Sequence, residues 1–344
     1  MAKSMKAARY DPRTVTIRLQ EIPVPSPKQD EILVRTISSG LCHSDLMVLD
    51  GSTPIVPTET VTIGHEAVGE IIGLGQSVSG FSKGDVIGFL NAYHACWSCN
   101  GCQNHYAFCE SKDFIMQGWG MDGFLQEYCI VDHRSAIKLP RGMDPQKAAP
   151  LFCAGITAYN AVRRPGLQDG QWLAVVGCGG LGQMAVRYAK ALNLRVIAID
   201  IDDNILSNAK AAGVQHIFNS KTTPDFVDQI RRLTSGGVDA AAVFTAVKAG
   251  YDIAPKTIKT GGKLVVVGCP AEISFNAVEV ALGRYQILGA NNHATMDELR
   301  LCAEFTLKHG IESPSQAFKI DQVEEMVALM EAGNLGGKRL IVVY

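Results

Sequence analysis

Ten cysteines in 344 residues raise the first question, because thiolates are nucleophiles and metal ligands. Cys96, Cys99, Cys102 and Cys109 fall within 14 residues as C-x2-C-x2-C-x6-C. The first three place thiolates on one tight loop, and the fourth closes a tetrahedral zinc site of the structural kind, with no open position. Without metal, the same loop would be an oxidisable thiol cluster. Cys129, Cys178, Cys269 and Cys302 are isolated and read as small buried hydrophobes. Cys42, His65 and Cys153 each sit beside glycines in short motifs, and spacing alone does not bring them together.

The second constellation is Gly177-Cys-Gly-Gly-Leu-Gly182, with Gly180 and Leu181 inside the turn, followed by Asp200. This is G-x-G-x-x-G with an acid about 20 residues on. Gly177 makes the turn, Gly179 lets the backbone approach a pyrophosphate, and Gly182 lets helix and strand pack closely. A helix start offers free N–H groups and partial positive charge to phosphates. Asp200 would accept from both hydroxyls of an adenosine ribose and repel a 2′-phosphate. No Arg or Lys occurs from Ile201 to Asn208. NAD is therefore expected rather than NADP.

The elements that must hold these residues follow from periodicity. Trp172–Val176 is a short β-branched run and Arg195–Ile199 a second. Between them Leu181, Met184, Ala185, Tyr188, Ala189 and Leu192 recur at helical spacing. Helices are expected from Ile205 to Ala212, Phe226 to Leu233 and near Ala249 to Ile258. Strands are expected at Val238–Phe244, Lys263–Val267 and Gln286–Ala290. Strand and helix alternate to about residue 293, predicting an α/β, doubly wound parallel sheet of Rossmann type. Residues 1 to about 155 look β-rich and irregular, with Glu31–Ile37 an alternating strand. Helices at Asp297–His309 and Val323–Ala332 and a strand at Leu340–Tyr344 are expected to pack back on that first part.

Hydrophobic content of 47% and charged content of 19% suit a globular chain with room for two domains. A net charge of −2 without a basic cluster points away from nucleic acid and anionic membranes. No uncharged apolar run reaches the ~18 residues of a membrane span. Met1 to Lys6 lacks the apolar core of a secretion signal, so a cytoplasmic address is expected.

Gly64-His65-Glu66-x-x-Gly69, with Gly75 and Val78 downstream, resembles the zinc signature of the medium-chain alcohol dehydrogenases. So do Cys42-His43-Ser44-Asp45, the four-cysteine loop, Cys153-Ala-Gly-Ile-Thr157 and Gly170-Gln-Trp-Leu-Ala-Val-Val-Gly177. The motifs run in the family's order from about Met5 to Tyr344, and the lack of a long insertion after the cysteine loop is nearer the yeast-type tetrameric branch. The resemblance implies a GroES-like catalytic domain over 1–155, an NAD-binding domain over 156–293 and a return over 294–344. It implies two zinc ions per chain. Cys42, His65 and Cys153 would bind the catalytic one, with Glu66 behind it as a transient ligand. Asp45 would hold the far nitrogen of His65, and Ser44 would pass the substrate proton toward solvent. His43 and Arg339 would face the pyrophosphate, and Thr157 and Val267 the nicotinamide. The implied activity is NAD-linked alcohol oxidation or aldehyde reduction, in a homo-oligomer and on a small-molecule substrate.

Three departures from the family pattern stand out. Six residues separate Cys102 from Cys109 where seven are common, so a distorted but metal-competent loop is expected. Met47 occupies the place of a relay histidine, which would send the proton through Ser44 and the cofactor ribose to water or His43. Thr53 replaces a pocket-narrowing tryptophan, which predicts substrates larger than ethanol unless Phe89, Tyr93 or Trp119 fills the gap. A polyol dehydrogenase would commonly carry glutamate in place of Cys153. A catalytically silent scaffold could have lost ligands that this chain keeps.

Overall fold

The computed structural model describes residues 3–53, 55–333 and 335–344. A six-stranded parallel sheet runs in the order His216–Asn219, Arg195–Asp200, Trp172–Val176, Val238–Val243, Ile258–Val266, Tyr285–Gly289. In chain order that is 3-2-1-4-5-6, the doubly wound arrangement whose carboxyl edge binds nucleotides. Leu173, Ala174, Val175 and Val176 are all buried because helices cover both faces. Each such Leu or Val contributes roughly 1.5–3 kcal/mol of burial. Helix Gly180–Ala191 buries Met184, Ala185, Tyr188 and Ala189 and ends at Leu192 and a left-handed Asn193.

The second sheet is a mostly antiparallel one. Its path is Ala136–Lys138, Val86–Phe89, Ala67–Leu74, Glu31–Leu41, Arg339–Val343, Ser315–Phe318, with Tyr128–Asp132 also paired to Glu31–Leu41. The C-terminal strand thus returns to the first part of the chain, Leu340 opposite Leu41 and Ile341 opposite Gly40. That register sets Arg339 behind Cys42. A three-stranded sheet (Ser4–Asp11, Thr16–Pro23, Val61–Thr62) and the pair Ala92–Tyr93 with Ile115–Met116 complete the β structure among the described residues.

The expected α/β fold is present, and the expected elements lie within a few residues of their observed ends. Helices are observed at Asp203–Ala211, Phe226–Leu233, Lys248–Thr257, Met296–Lys308 and Val323–Glu331. The periodicity did not reveal strands His216–Asn219 and Ser315–Phe318 or helix Ala154–Arg163. One packing expectation is overturned. Cys129, Cys178 and Cys302 are buried, whereas Cys269 is exposed, because it follows Gly268 in the loop that leaves the carboxyl edge of the parallel sheet.

Candidate active site and zinc centres

Three distant segments converge on one cavity. Cys42 lies at the end of strand Glu31–Leu41, where the chain turns into the short helix His43–Leu46. His65 follows Gly64, whose φ of +100° no β-carbon would tolerate there: one would lie 2.7 Å from the Leu125 nitrogen. Cys153 caps helix Ala154–Arg163. Cys42 Sγ, His65 Nε2 and Cys153 Sγ all lie within 4.8 Å of one another, with His65 Nε2 3.2 Å from Cys153 Sγ.

Asp45 organises this convergence. It is fully buried, and its Oδ1 accepts from His65 Nδ1 at 2.6 Å and from the Gly64 N–H at 3.2 Å. Its Oδ2 accepts from the Cys42 N–H at 2.8 Å. One carboxylate therefore fixes two donor residues and leaves His65 Nε2 facing the sulfurs. Trp119 stacks on the imidazole, centroids 5.0 Å apart. Burial opposes a charged imidazole, but the Asp45 carboxylate and the Cys42 sulfur together outweigh it and hold the His65 pKa well above the ordinary value. The Cys153 thiol hydrogen-bonds Cys42 and, with Arg339 and His65, holds Cys42 far below the usual thiol range. The same contact and burial raise Cys153. Two sulfurs, one imidazole nitrogen and a neighbouring cation that favours thiolate form a donor set suited to zinc.

Glu66 is not among the converging donors. Its Oε1 accepts from Arg339 Nη2 at 2.7 Å, and its Oε2 is buried with no hydrogen-bond partner. Burial raises its pKa, against the pull of Arg339. Gly40 makes room for the pair, since a β-carbon there would lie 1.9 Å from Glu66 Oε1.

The second cluster also assembles. The sulfurs of Cys96, Cys99, Cys102 and Cys109 lie within 4.8 Å of one another, and the six-residue spacing closes through helices Asn100–Asn104 and Tyr106–Phe108. Backbone N–H groups of Cys96, Cys99, Cys102, Glu110 and Ser111 point at these sulfurs at 3.3–3.5 Å. Such donors favour thiolate: those of Ser98 and Cys99 hold Cys96 down at about 6. The donor set fits a structural zinc.

The cavity of about 210 Å³ beside Cys42, His65 and Cys153 is also lined by Ser44, Thr157, Leu181, Val267 and Arg339. Leu181, Val267 and Asn291–Asn292 follow strands Trp172–Val176, Ile258–Val266 and Tyr285–Gly289, so the carboxyl edge of the parallel sheet forms one wall. In the glycine turn, Gly177 has φ +86°, Gly179 faces open space, and a β-carbon on Gly182 would lie 2.1 Å from the Gly177 oxygen. Gly180 lies against Arg339. Asp200 accepts from the Cys178 N–H at 2.6 Å and the Ile201 N–H at 2.7 Å, which ties the end of its strand to the turn. Thr157 donates to the Cys153 carbonyl at 2.7 Å. His43 is exposed and does not line the cavity. Thr53 is buried outside the lining and bonds the Ile55 carbonyl. Asn91, Met116, Asn291 and Asn292 also line the cavity. No sequence signal marked them, although a loop leaving the last parallel strand is where this fold places ligands.

Residues 28–141 match the alcohol dehydrogenase GroES-like domain and residues 180–304 the zinc-binding dehydrogenase domain. The chain is 32% identical to an alcohol dehydrogenase of Geobacillus stearothermophilus, over 98% of this chain and 100% of that one. The chain belongs to the zinc-dependent medium-chain alcohol dehydrogenase family. An alcohol dehydrogenase of a Moraxella strain is 30% identical over 99% of both chains. The structure of the alcohol dehydrogenase from the hyperthermophilic archaeon Aeropyrum pernix superimposes with a TM-score of 0.88, at 29% identity, over 98% of this chain and 100% of that one. Among the described residues no helix is long and apolar enough to cross a membrane.

Proposed function

We propose that this member of the family oxidises an alcohol, or reduces the corresponding aldehyde, with NAD and two zinc ions per chain. The observation that carries the reading is the meeting of Cys42, His65 and Cys153 in a cavity whose other wall includes Leu181 and Val267, which follow strands of the parallel sheet at its carboxyl edge. Cys42, His65 and Cys153 would hold the catalytic zinc, and Cys96, Cys99, Cys102 and Cys109 the structural one. Zinc and NAD, when bound, supply a Lewis acid that acidifies an alcohol and an acceptor for hydride.

The chain's own residues do the rest. Asp45 fixes the His65 tautomer. Ser44, 3.9 Å from Cys42 Sγ, presents a hydroxyl that can take the substrate proton and hand it toward the exposed His43 or to water. Met116, Trp119, Leu181 and Val267 keep the reacting oxygen from bulk solvent. Glu66 balances the buried Arg339 through Oε1, and its unpartnered Oε2 is the oxygen left for transient metal coordination. Arg339 and the Gly177–Gly182 turn would receive the pyrophosphate, Thr157 and Val267 the nicotinamide, and Asp200 the ribose. Domain limits of 1–155, 156–293 and 294–344 belong to the same proposal; the strands each sheet draws on support the division, with helix Ala154–Arg163 running across the first limit.

The substrate reading is a compact alcohol larger than ethanol. The cavity exceeds the ~150 Å³ that accommodates benzene, with Trp119 rather than Thr53 setting its width. A cytoplasmic homo-oligomer of yeast-type, tetrameric form completes the proposal. The edge strand Tyr285–Gly289 exposes Ile287 beside the exposed Val278, Val280 and Leu282, an apolar rim suited to a second copy. An NADH-absorbance screen across alcohols and aldehydes, with and without a zinc chelator, tests the activity. Chelator-sensitive turnover supports it, and turnover unaffected by metal removal defeats it.

A further inference from the structure

One wall of the cavity is polar where a pocket for a simple alkyl chain would be apolar. Asn91 and Asn292 both line it, coming from opposite sides of the cleft: Asn91 precedes strand Ala92–Tyr93 and Asn292 follows strand Tyr285–Gly289. They are held by one buried side chain. Tyr106 donates its hydroxyl proton to Asn91 Oδ1 at 2.9 Å and accepts from Asn292 Nδ2 at 2.5 Å. Asn91 Nδ2 donates to the Gln117 carbonyl at 3.0 Å. Asn292 Oδ1 lies 3.2 Å from His105 Nε2, and His105 Nδ1 accepts from the Ala107 N–H at 2.9 Å. The imidazole must then carry its proton on Nε2 and donate to Asn292. Burial keeps it neutral by lowering its pKa to about 4.

The fixed chain leaves capacity unused. A primary amide has two N–H donors and two lone pairs. Asn91 and Asn292 each spend one donor and one acceptor on the network. Each keeps an N–H, and their orientations are locked. Tyr106 and His105 both lie in the six residues between Cys102 and Cys109, so the four-cysteine loop is the frame on which this wall is built.

We infer that Asn91 and Asn292 form a subsite for a second oxygen on the substrate, a hydroxyl or carbonyl separate from the reacting one, with Tyr106 and His105 as its positioning residues. This rests on the dehydrogenase reading above and narrows it from compact alcohols in general to oxygenated ones. Because each asparagine is already partnered, leaving the subsite empty strands no charge. The expected preference is about tenfold, rather than the far larger rejection shown by sites with unpaired groups.

The test compares kcat/KM with NAD+ for butan-1-ol and for butane-1,2-, 1,3- and 1,4-diol. In the unaltered enzyme at least one diol should exceed butan-1-ol about tenfold through a lower KM. In Asn91→Leu that ratio should fall to about one. In Tyr106→Phe it should also fall, with the zinc content unchanged and the diol KM rather than kcat affected. Purely structural damage would depress both substrates together and leave the ratio in place. If Asn91→Leu does not fold, Asn292→Val reads the same ratio. Turnover of butan-1-ol with no diol favoured, or a ratio that survives these substitutions, overturns the subsite while the dehydrogenase reading stands. No NADH from any alcohol overturns both.

Discussion

Replacing Asp45 by asparagine changes one atom pair and almost no volume, yet it should weaken zinc binding at the catalytic site by about 10–100-fold. The carboxylate accepts three hydrogen bonds, from the Cys42 and Gly64 N–H groups and from His65 Nδ1. An amide offers one oxygen and one NH2, and both placements fail. With NH2 toward Cys42, two donors face each other in a fully buried site. With NH2 toward His65, the imidazole must accept at Nδ1, which puts its proton on Nε2, where the metal lone pair is needed. Either arrangement costs about 1–3 kcal/mol, which matches the expected loss of affinity. Competition with a chromophoric chelator should show one zinc per chain released at lower chelator concentration in Asp45→Asn. The ion held by the four cysteines should be released as in the unaltered protein. Equal affinity for both ions in the two proteins would refute the role assigned to Asp45.

Three further outcomes follow from the packing and charge. Gly40→Ala should lower the urea midpoint by an amount worth about 1–3 kcal/mol, because its β-carbon would displace Glu66 from Arg339; an unchanged midpoint would contradict the close approach. Asp200→Asn should raise the kcat/KM ratio of NADP+ to NAD+ roughly tenfold or more by removing like-charge repulsion, and an unmoved ratio would show that Asp200 does not face the ribose. His105 is held neutral with a pKa near 4, below its ordinary 6.5. The unfolded chain takes up that proton first, so the contribution of His105 is complete above pH 6.5 and is lost as pH falls toward about 4. Urea midpoints at pH 7.5 and 5 should therefore differ less in His105→Asn, which keeps an acceptor for the Ala107 N–H, than in the unaltered protein.

What could be read from the sequence was what is local. Trp172–Val176, the turn after it and helix Gly180–Ala191 carry their own periodicity and their own glycines. The four cysteines announce themselves because their ligands are neighbours in the chain. Strands His216–Asn219 and Ser315–Phe318 escaped because each is four residues long and only part-buried, with polar residues on both faces. Helix Ala154–Arg163 escaped because its start is a cysteine without a side-chain cap bond. The meeting of Cys42, His65 and Cys153 came from resemblance, since their closeness is a product of tertiary packing. Asn91 and Asn292 had neither source: 201 residues apart, they are joined through Tyr106, which stands between them.

Metal analysis of the purified protein, beside that of His65→Ala, bears most directly on the catalytic centre. Two zinc ions per chain are expected in the unaltered protein. One is expected in the variant, with NAD-linked alcohol oxidation lost and the remaining ion resistant to mild chelation. Two ions retained by the variant, or alcohol oxidation that persists in metal-free protein, would contradict a zinc held by Cys42, His65 and Cys153.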